Sequence, residues 1–259
     1  MPSRDDWQRR LGPLYGGAVA LIHSTPWRWP TEVGDDPRAA GWLVVLGIPI
    51  GAVAWIVAVL AHAAGLPERL AALAGLAALS LASAALVERG LAERVDHWDR
   101  HWDGHWDGSS DSRYRDGRAR SPGVAALLVL VFVTLARVGA FAWLPPSRWL
   151  AVLVATAVVG RWSAMFVQAL GDPITHDDDQ RSLVAAPAPA WLVVAISLGV
   201  AAIAVLAVGK AGILALALAA IAAFALGLEA QRRDGGLSGP AVATVAAVGE
   251  LAILLIATV

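Results

Sequence analysis

Two carboxylates near the middle of the chain have a spacing that suits a divalent cation. Glu93 and Asp96 are three residues apart, so a helix places both on one face. Mg²⁺ prefers oxygen ligands and often shares its coordination shell with substrate phosphates. The pattern is therefore consistent with a magnesium site at the end of a helix. On spacing alone, the simpler interpretation is a solvated helix end with an ion pair between Arg89 and Glu93.

Two other polar stretches suit the binding of phosphate. Asp116, Arg118, Arg120 and Ser121 immediately precede an apolar run, and arginines beside hydroxyls at a helix N-terminus can hold phosphate. The stretch 235–240 reads Gly-Gly-Leu-Ser-Gly-Pro, in which glycine allows close backbone approach and proline suits the first position of a helix. A cluster of cations that sets membrane orientation, and a flexible turn, would have the same sequences.

Two arginines, Arg137 and Arg161, lie inside apolar stretches. A charge within a membrane-spanning helix costs at least ~2.5 kcal/mol, so such residues usually face a polar cavity or a partner. Glu250, midway along the last apolar stretch, is the predicted partner. A structural ion pair and a substrate-binding role both remain open for these three residues.

The segment 97–107 repeats the triplet His-Trp-Asp three times. On a helix its histidines would align at i, i+4 and i+8 and could bind a transition metal. Gly104 and Gly108 weaken a helix here. The sequence favours an interfacial loop over a source of extra carboxylates, and both over a dedicated metal site.

The composition defines the class of protein that must position these residues. Of 259 residues, 58% are hydrophobic and 16% are charged, whereas a soluble domain has about 25% charged residues. The apolar residues come in runs of ~20, the length that crosses a bilayer core. These features exclude a soluble globular protein and predict an all-α, polytopic integral membrane helix bundle. Because the chain has no cysteine, disulfides and thiolate metal sites are excluded.

The apolar runs predict one membrane-embedded domain, residues 1–259, with seven transmembrane helices. An N-terminal interfacial helix is predicted over Leu11–His23, and polar loops at about 88–122, 171–189 and 229–239. The predicted spans are Ala40–Gly65, Leu70–Leu86, Gly123–Trp143, Arg148–Leu170, Trp191–Val208, Gly212–Leu228 and Pro240–Val259.

The basic residues predict the orientation of these spans. With a cytoplasmic N-terminus, the basic residues of the outer loops are only Arg69, Arg148 and Lys210. The positive-inside rule therefore predicts a cytoplasmic N-terminus, in the inner membrane of the cell. All three polar loops then lie on the cytoplasmic side. The bilayer is a predicted partner, and nucleic acid is not.

Three motifs follow one another along the chain. Residues 90–96 are similar to the pattern Asp-Gly-Leu-Ala-Asp-x-x-Asp-Gly, and residues 115–123 to Arg-Asp-Ser-Arg-x-Gly-Thr-x-Gly. Residues 235–239, with the later Glu250, are similar to Gly-Gly-x-Thr-Gly-Asp followed by Glu. In this order they resemble the motifs of the cobalamin synthase family, the adenosylcobinamide-GDP ribazoletransferases.

The resemblance implies a membrane transferase that joins α-ribazole or its phosphate to adenosylcobinamide-GDP and releases GMP, with Mg²⁺ as cofactor. It implies that Glu93, Asp96 and Asp116 bind the metal and that Asp116 and Arg118 are catalytic. It implies phosphate or substrate binding by Arg118, Ser121, Arg137, Arg161, Gly235, Gly236, Ser238 and Glu250. The sequence departs from the family at Arg89, where the motif has Asp, and at Pro240, where the loop has Asp. A non-catalytic family member or a metal-responsive binding protein is therefore the alternative, and a homo-oligomer remains open.

Overall fold

The protein is seen in a computed structural model that describes residues 4–26, 36, 38–102, 123–172, 174 and 188–259. Within these residues the chain folds into helices, which satisfy their own backbone hydrogen bonds and so suit an apolar surrounding. Two short N-terminal helices are joined by a 3₁₀ turn. The helices are α1 (Arg4–Leu11), α2 (Tyr15–Ser24), α3 (Ala39–Ala63), α4 (Glu68–Ala82), α5 (Leu86–Trp102), α6 (Val124–Ala142), α7 (Trp149–Leu170), α8 (Ala190–Val208), α9 (Ala211–Asp234) and α10 (Gly239–Ile256).

Six helices in the described part of the chain are long and apolar enough to cross a membrane, namely α3 and α6 to α10. Helices α4 and α5 pass the same test only together, and they are bent by 79° at a short break. Counted as one broken span, the pair gives seven spans. The all-α, polytopic membrane fold predicted from the sequence is confirmed.

The second predicted span, Leu70–Leu86, is wrong as a single straight helix. Helix α4 ends at Ala82, and α5 begins four residues later. Ala84 and Ala85 connect the two helices with φ angles of 53° and 51°, in the left-handed region that costs residues other than glycine about 1–2 kcal/mol each. Two adjacent alanines in this conformation indicate that contacts from elsewhere in the bundle hold the break in place.

Two polar loops are shorter than predicted. Helix α5 continues to Trp102, so the first part of the predicted loop 88–122 is helical, and α9 continues to Asp234, which leaves only residues 235–238 of the loop 229–239. Helix α5 forms because its apolar residues recur at helical spacing and are buried against the bundle. These residues are Leu86, Val87, Leu91, Ala92 and Val95.

The bundle has two distinguishable ends. At one end, Arg94 of α5 contacts Asp234 in the last turn of α9, and Asp96 contacts Gly123 at the start of α6. This is called the Arg94 end. At the opposite end, Arg148 donates hydrogen bonds to carbonyl oxygens at the C-terminal ends of α8 and α10, at 3.4 and 3.3 Å.

Helix α3 crosses α7 with almost no space between the two backbones. A β-carbon on Gly51 would lie 2.5 Å from Val154 Cα and 2.8 Å from Leu153 O. Gly47, one turn earlier, has a similar contact with the backbone of Val158. Small residues spaced four apart are a common basis of helix packing in membranes.

Replacing Gly51 with leucine is expected to separate these helices and to destabilise the protein by about 1–3 kcal/mol or more, because backbone atoms must move. The measurement is the thermal midpoint of the detergent-solubilised protein. Gly199→Leu is the matched control, since a β-carbon there meets nothing within 4 Å. Equal midpoints for the two variants would contradict the close packing.

Candidate active site

Helix α5 carries the predicted metal carboxylates at the Arg94 end. Asp96 is half-buried, and its Oδ1 accepts a hydrogen bond from the backbone N–H of Gly123 at 3.0 Å. This carboxylate therefore lies at the N-terminus of α6, where negative charge is favourable. Glu93 has 47% of its side chain exposed, and an oxygen of its carboxylate is 3.9 Å from a nitrogen of Arg89. The i,i+4 ion pair considered from the sequence is thus present.

The described residues include two carboxylates that could hold a cation, Glu93 and Asp96, about one helical turn apart. Nowhere in the described ranges do three or more potential ligands form a cluster. Mg²⁺ commonly takes one or two protein carboxylates and completes its shell with water and substrate phosphate, so this donor set fits the ion. Three predicted site residues lie outside the described residues: Asp116, Arg118 and Ser121.

The four residues between α9 and α10, residues 235–238, are called the glycine loop. Gly235 ends α9 with a φ of 77°, a conformation that favours glycine. A β-carbon on Gly236 would lie 2.6 Å from Ile174 Cγ1 and 2.9 Å from Asp172 O. Both glycines therefore have a structural requirement, whether or not the loop also binds phosphate.

Two backbone hydrogen bonds fix the glycine loop to the segment that follows α7. Leu237 N donates to Asp172 O at 2.8 Å, and Ile174 N donates to Leu237 O at 2.9 Å. Ser238 caps the N-terminus of α10, and its hydroxyl oxygen accepts a hydrogen bond from Ala241 N at 3.4 Å. The loop is thus held in place rather than being the flexible turn considered from the sequence.

The first and last motifs of the chain meet at the Arg94 end. Helix α5 packs along α10, and a β-carbon on Gly90 would lie 3.4 Å from Pro240 Cα and even closer to the side chain of Ala243. Only glycine fits at this point of approach. The structure therefore brings two motif segments that are distant in the sequence onto adjoining helices.

Arg94 connects these segments, although no motif in the sequence marks it as a site residue. Its side chain is only 4% exposed. One Nη atom pairs with Asp234, the other lies 2.5 Å from Glu229 Oε2, and the guanidinium carbon is 5.4 Å from the ring centre of Trp98. The spacing of Arg94 from Leu91 puts it on the apolar face of α5, which is the signal that could have identified it.

A second polar cluster lies inside the bundle, beside the break between α4 and α5. Arg137 Nη1 is 2.9 Å from Glu88 Oε1, and its Nη2 is 2.7 Å from Glu250 Oε2. Ser80, near the end of α4, donates a hydrogen bond to Glu88 at 2.6 Å. The predicted pairing of Arg137 with Glu250 is confirmed. Glu88 was missed as a partner because the sequence placed it in a loop.

Arg161 occupies the same region but is bound differently. Its Nη2 donates to Ser83 Oγ at 2.7 Å, and its Nη1 to Ala157 O at 3.1 Å. Glu250 lies across the adjacent Gly160, where a β-carbon would be 2.5 Å from the glutamate Cγ. The buried ionic cluster consists of Ser80, Ser83, Glu88, Arg137, Arg161 and Glu250.

The buried ionic cluster contains two arginines and two glutamates, so its formal charge is zero. Glu88 Oε2 and the Nε atoms of both arginines have no hydrogen-bond partner among the described residues. Charged groups at membrane depth and broken helices both occur where a membrane protein lines a polar cavity. The cluster therefore has polar atoms available to contact a polar ligand, although most of its charges are already paired within the cluster.

The fold and the site define a polytopic membrane protein whose first and last motifs meet at one end of a helix bundle. The sequence model of the family described as CobS, cobalamin-5-phosphate synthase, matches residues 18–258. The chain belongs to this family. It is therefore a membrane-associated synthase that takes part in assembly of the cobalamin nucleotide loop. No curated protein and no solved structure matches the chain.

Proposed function

We propose that the protein is an Mg²⁺-dependent adenosylcobinamide-GDP ribazoletransferase, which joins α-ribazole or its phosphate to adenosylcobinamide-GDP and releases GMP. The observation that carries the proposal is the approach of the first and last motifs at the Arg94 end, where Gly90 of α5 packs on Pro240 of α10. Membership of the cobalamin-5-phosphate synthase family supports the class of reaction.

The proposed reaction is a displacement at a pyrophosphate. A hydroxyl oxygen of the ribazole forms a new bond to phosphorus, the bond from that phosphorus to GMP breaks, and the hydroxyl proton leaves. Glu93 and Asp96 would hold Mg²⁺, which neutralises phosphate charge in such reactions. The glycine loop would hold phosphate through backbone N–H groups at the start of α10. Asp116 as the base, with Arg118 and Ser121 as phosphate ligands, completes the proposal.

The buried ionic cluster has a different place in the proposal. Substrate binding by Arg137, Arg161 and Glu250 stays a prediction, which the unpartnered Nε atoms support. The pairing of Arg137 with two carboxylates favours a structural role, because a phosphate would have to compete with both of them.

The second candidate function is a non-catalytic family member. The observation that favours it is Arg89, which replaces a motif carboxylate and lies beside Glu93 at 3.9 Å. A guanidinium next to a metal-binding carboxylate competes with the cation. This pair is largely exposed, so solvent screens the interaction and leaves room for metal binding.

The experiment that separates the two functions uses membranes from a host without its own synthase. Adenosylcobinamide-GDP and α-ribazole phosphate are supplied, Mg²⁺ is titrated, and the corrinoid product and GMP are measured. We expect turnover in wild type, and half-maximal rate at a lower Mg²⁺ concentration in Arg89→Asp, because a carboxylate replaces a competing cation. Absence of product in both proteins would contradict the transferase and favour the non-catalytic member.

We also propose that the Arg94 end faces the cytoplasm, in the inner membrane, with the N-terminus on the same side. Among the described residues, Arg69, Arg148 and Lys210 lie at the other end and more basic residues lie at the Arg94 end, in agreement with the positive-inside rule. A reporter inserted after Gly108 should be cytoplasmic, and one fused after Val259 periplasmic. A cytoplasmic reporter at Val259 would show that α4 and α5 do not form one span.

A further inference from the structure

Arg94 belongs to the carboxylate half of the proposed site in sequence and contacts the glycine-loop half in space. It follows Glu93 directly and precedes Asp96 by two residues in α5. Its guanidinium pairs with Asp234, the residue before Gly235 and the last residue of α9. One side chain thus connects the helix of the carboxylates to the start of the glycine loop.

The geometry of this contact requires an arginine. Its two Nη atoms reach two different residues of α9, Asp234 and Glu229. A guanidinium presents these donors in a rigid plane, whereas the lysine ammonium is a single point charge on a flexible stem. The C-terminal end of α9 also favours a cation, since the last carbonyl groups of a helix carry partial negative charge.

The contact between Arg94 and α9 is buried. The Arg94 side chain is 4% exposed and its guanidinium lies over Trp98, so water does not easily replace a lost carboxylate partner. His97, three residues after Arg94 in α5, also approaches Asp234, with 3.6 Å between His97 Nε2 and Asp234 Oδ1. By contrast, Arg233 binds the same Glu229 from the surface, with 52% of its side chain exposed.

We propose that Arg94 is a positioning residue that sets the distance between the carboxylates of α5 and the glycine loop. The inference rests on the proposed function, in which these are the metal-binding and phosphate-binding halves of one site. Arg94 itself contacts neither the metal nor the substrate. It acts by holding α5 and the last turn of α9 in one relative position.

The kinetic test uses Arg94→Lys, which keeps the charge but loses the planar fork. A displacement of about 1 Å in a reacting geometry can cost about 100-fold in rate. We expect kcat, per mole of monodisperse protein, to fall about 10–100-fold while each substrate KM changes less than about 3-fold. Arg233→Lys makes the same substitution at the same glutamate, and its kcat should stay within about 2-fold of wild type. An unchanged kcat in Arg94→Lys, or an equal loss in Arg233→Lys, would overturn the proposal.

A second test needs no activity. The chain has no cysteine, so spin labels can be placed cleanly at Arg89→Cys on α5 and Arg232→Cys on α9. We expect a narrow distance distribution, which Arg94→Lys broadens and Arg233→Lys does not. An unchanged distribution in Arg94→Lys would overturn the positioning role. If the wild-type protein shows no transferase turnover but Arg94→Lys still broadens the distance distribution, the proposed function is contradicted and the link between α5 and α9 through Arg94 is retained.

The single variant Asp234→Asn keeps the proposal testable if Arg94→Lys does not fold, and a double-mutant cycle tests the shared contact if it does. Asp234→Asn removes the charge of the other partner without changing its size, and it should lower kcat by a similar factor. If the two residues act through one contact, the kcat of the double variant Arg94→Lys/Asp234→Asn should lie within about 3-fold of the kcat of the slower single variant. Independent, multiplying effects would overturn the shared contact, and wild-type kcat in Asp234→Asn would overturn it equally.

Discussion

Asp96→Asn is expected to lower transferase turnover on the order of 10³-fold, which corresponds to about 4 kcal/mol of transition-state stabilisation. The substitution removes a negative charge from the proposed Mg²⁺ site and leaves the side-chain volume unchanged. The asparagine Oδ1 can still accept the hydrogen bond from Gly123 N, so the junction between α5 and α6 should persist. The measurement is the initial rate in membranes over a range of Mg²⁺ concentrations.

The chain contains a matched control for this substitution. Asp36 also accepts a hydrogen bond from a backbone N–H near the start of a helix, that of Arg38 at 2.8 Å. Asp36→Asn should therefore have the same small structural effect and a turnover within about 2-fold of wild type. Wild-type turnover in Asp96→Asn at every Mg²⁺ concentration would exclude Asp96 as a metal ligand.

Arg137→Met is expected to destabilise the protein by about 3–5 kcal/mol, the usual cost of removing one partner from a buried ion pair. Glu88 and Glu250 would then face each other without the cation between them. The measurement is the thermal midpoint of purified protein in detergent. Arg148→Met is the control, because among the described residues Arg148 binds only backbone carbonyl groups, at 3.3 and 3.4 Å.

The double variant Arg137→Met/Glu250→Gln tests the cause of that loss. It removes one charge of each sign, so the remaining Glu88 and Arg161 again sum to zero. We expect the double variant to be more stable than the sum of the two single losses predicts, by about 0.5–3 kcal/mol. Additive losses would mean that Arg137 stabilises the bundle by packing rather than by its charge.

The apolar runs were sufficient to predict most of the fold, because hydrophobic length determines which segments can cross a bilayer. The break between α4 and α5 could not be predicted in this way. Residues 80–88 contain neither glycine nor proline, whereas α3 contains Pro49 in its interior and continues past it. Local rules would thus place the break at Pro49, and the structure places it at Ala84 and Ala85 because tertiary contacts outweigh local preference.

The candidate site was predictable where residues share one helix or where a charged residue lies inside an apolar span. The spacing of Glu93 and Asp96 gave their common face, and the position of Glu250 within a span suggested its role as a partner. The contacts of Arg94 and Glu88 were not predicted, since each joins helices that are far apart in the sequence. A basic residue in a polar stretch looks the same whether it binds solvent or a buried carboxylate.

The buried ionic cluster also has a consequence for biosynthesis. Glu250 lies in the last described helix, and the ribosome reaches it 113 residues after Arg137, counted from position 137 to position 250. At about 5–20 residues per second, that delay is roughly 6–23 s. During this time Arg137 can pair with Glu88, but Arg161 has been inserted without the glutamate that will lie across its neighbour Gly160. The buried ionic cluster is therefore complete only after α10 has been synthesised, and a chain that stops before α10 leaves Arg137 without one of its two carboxylate partners.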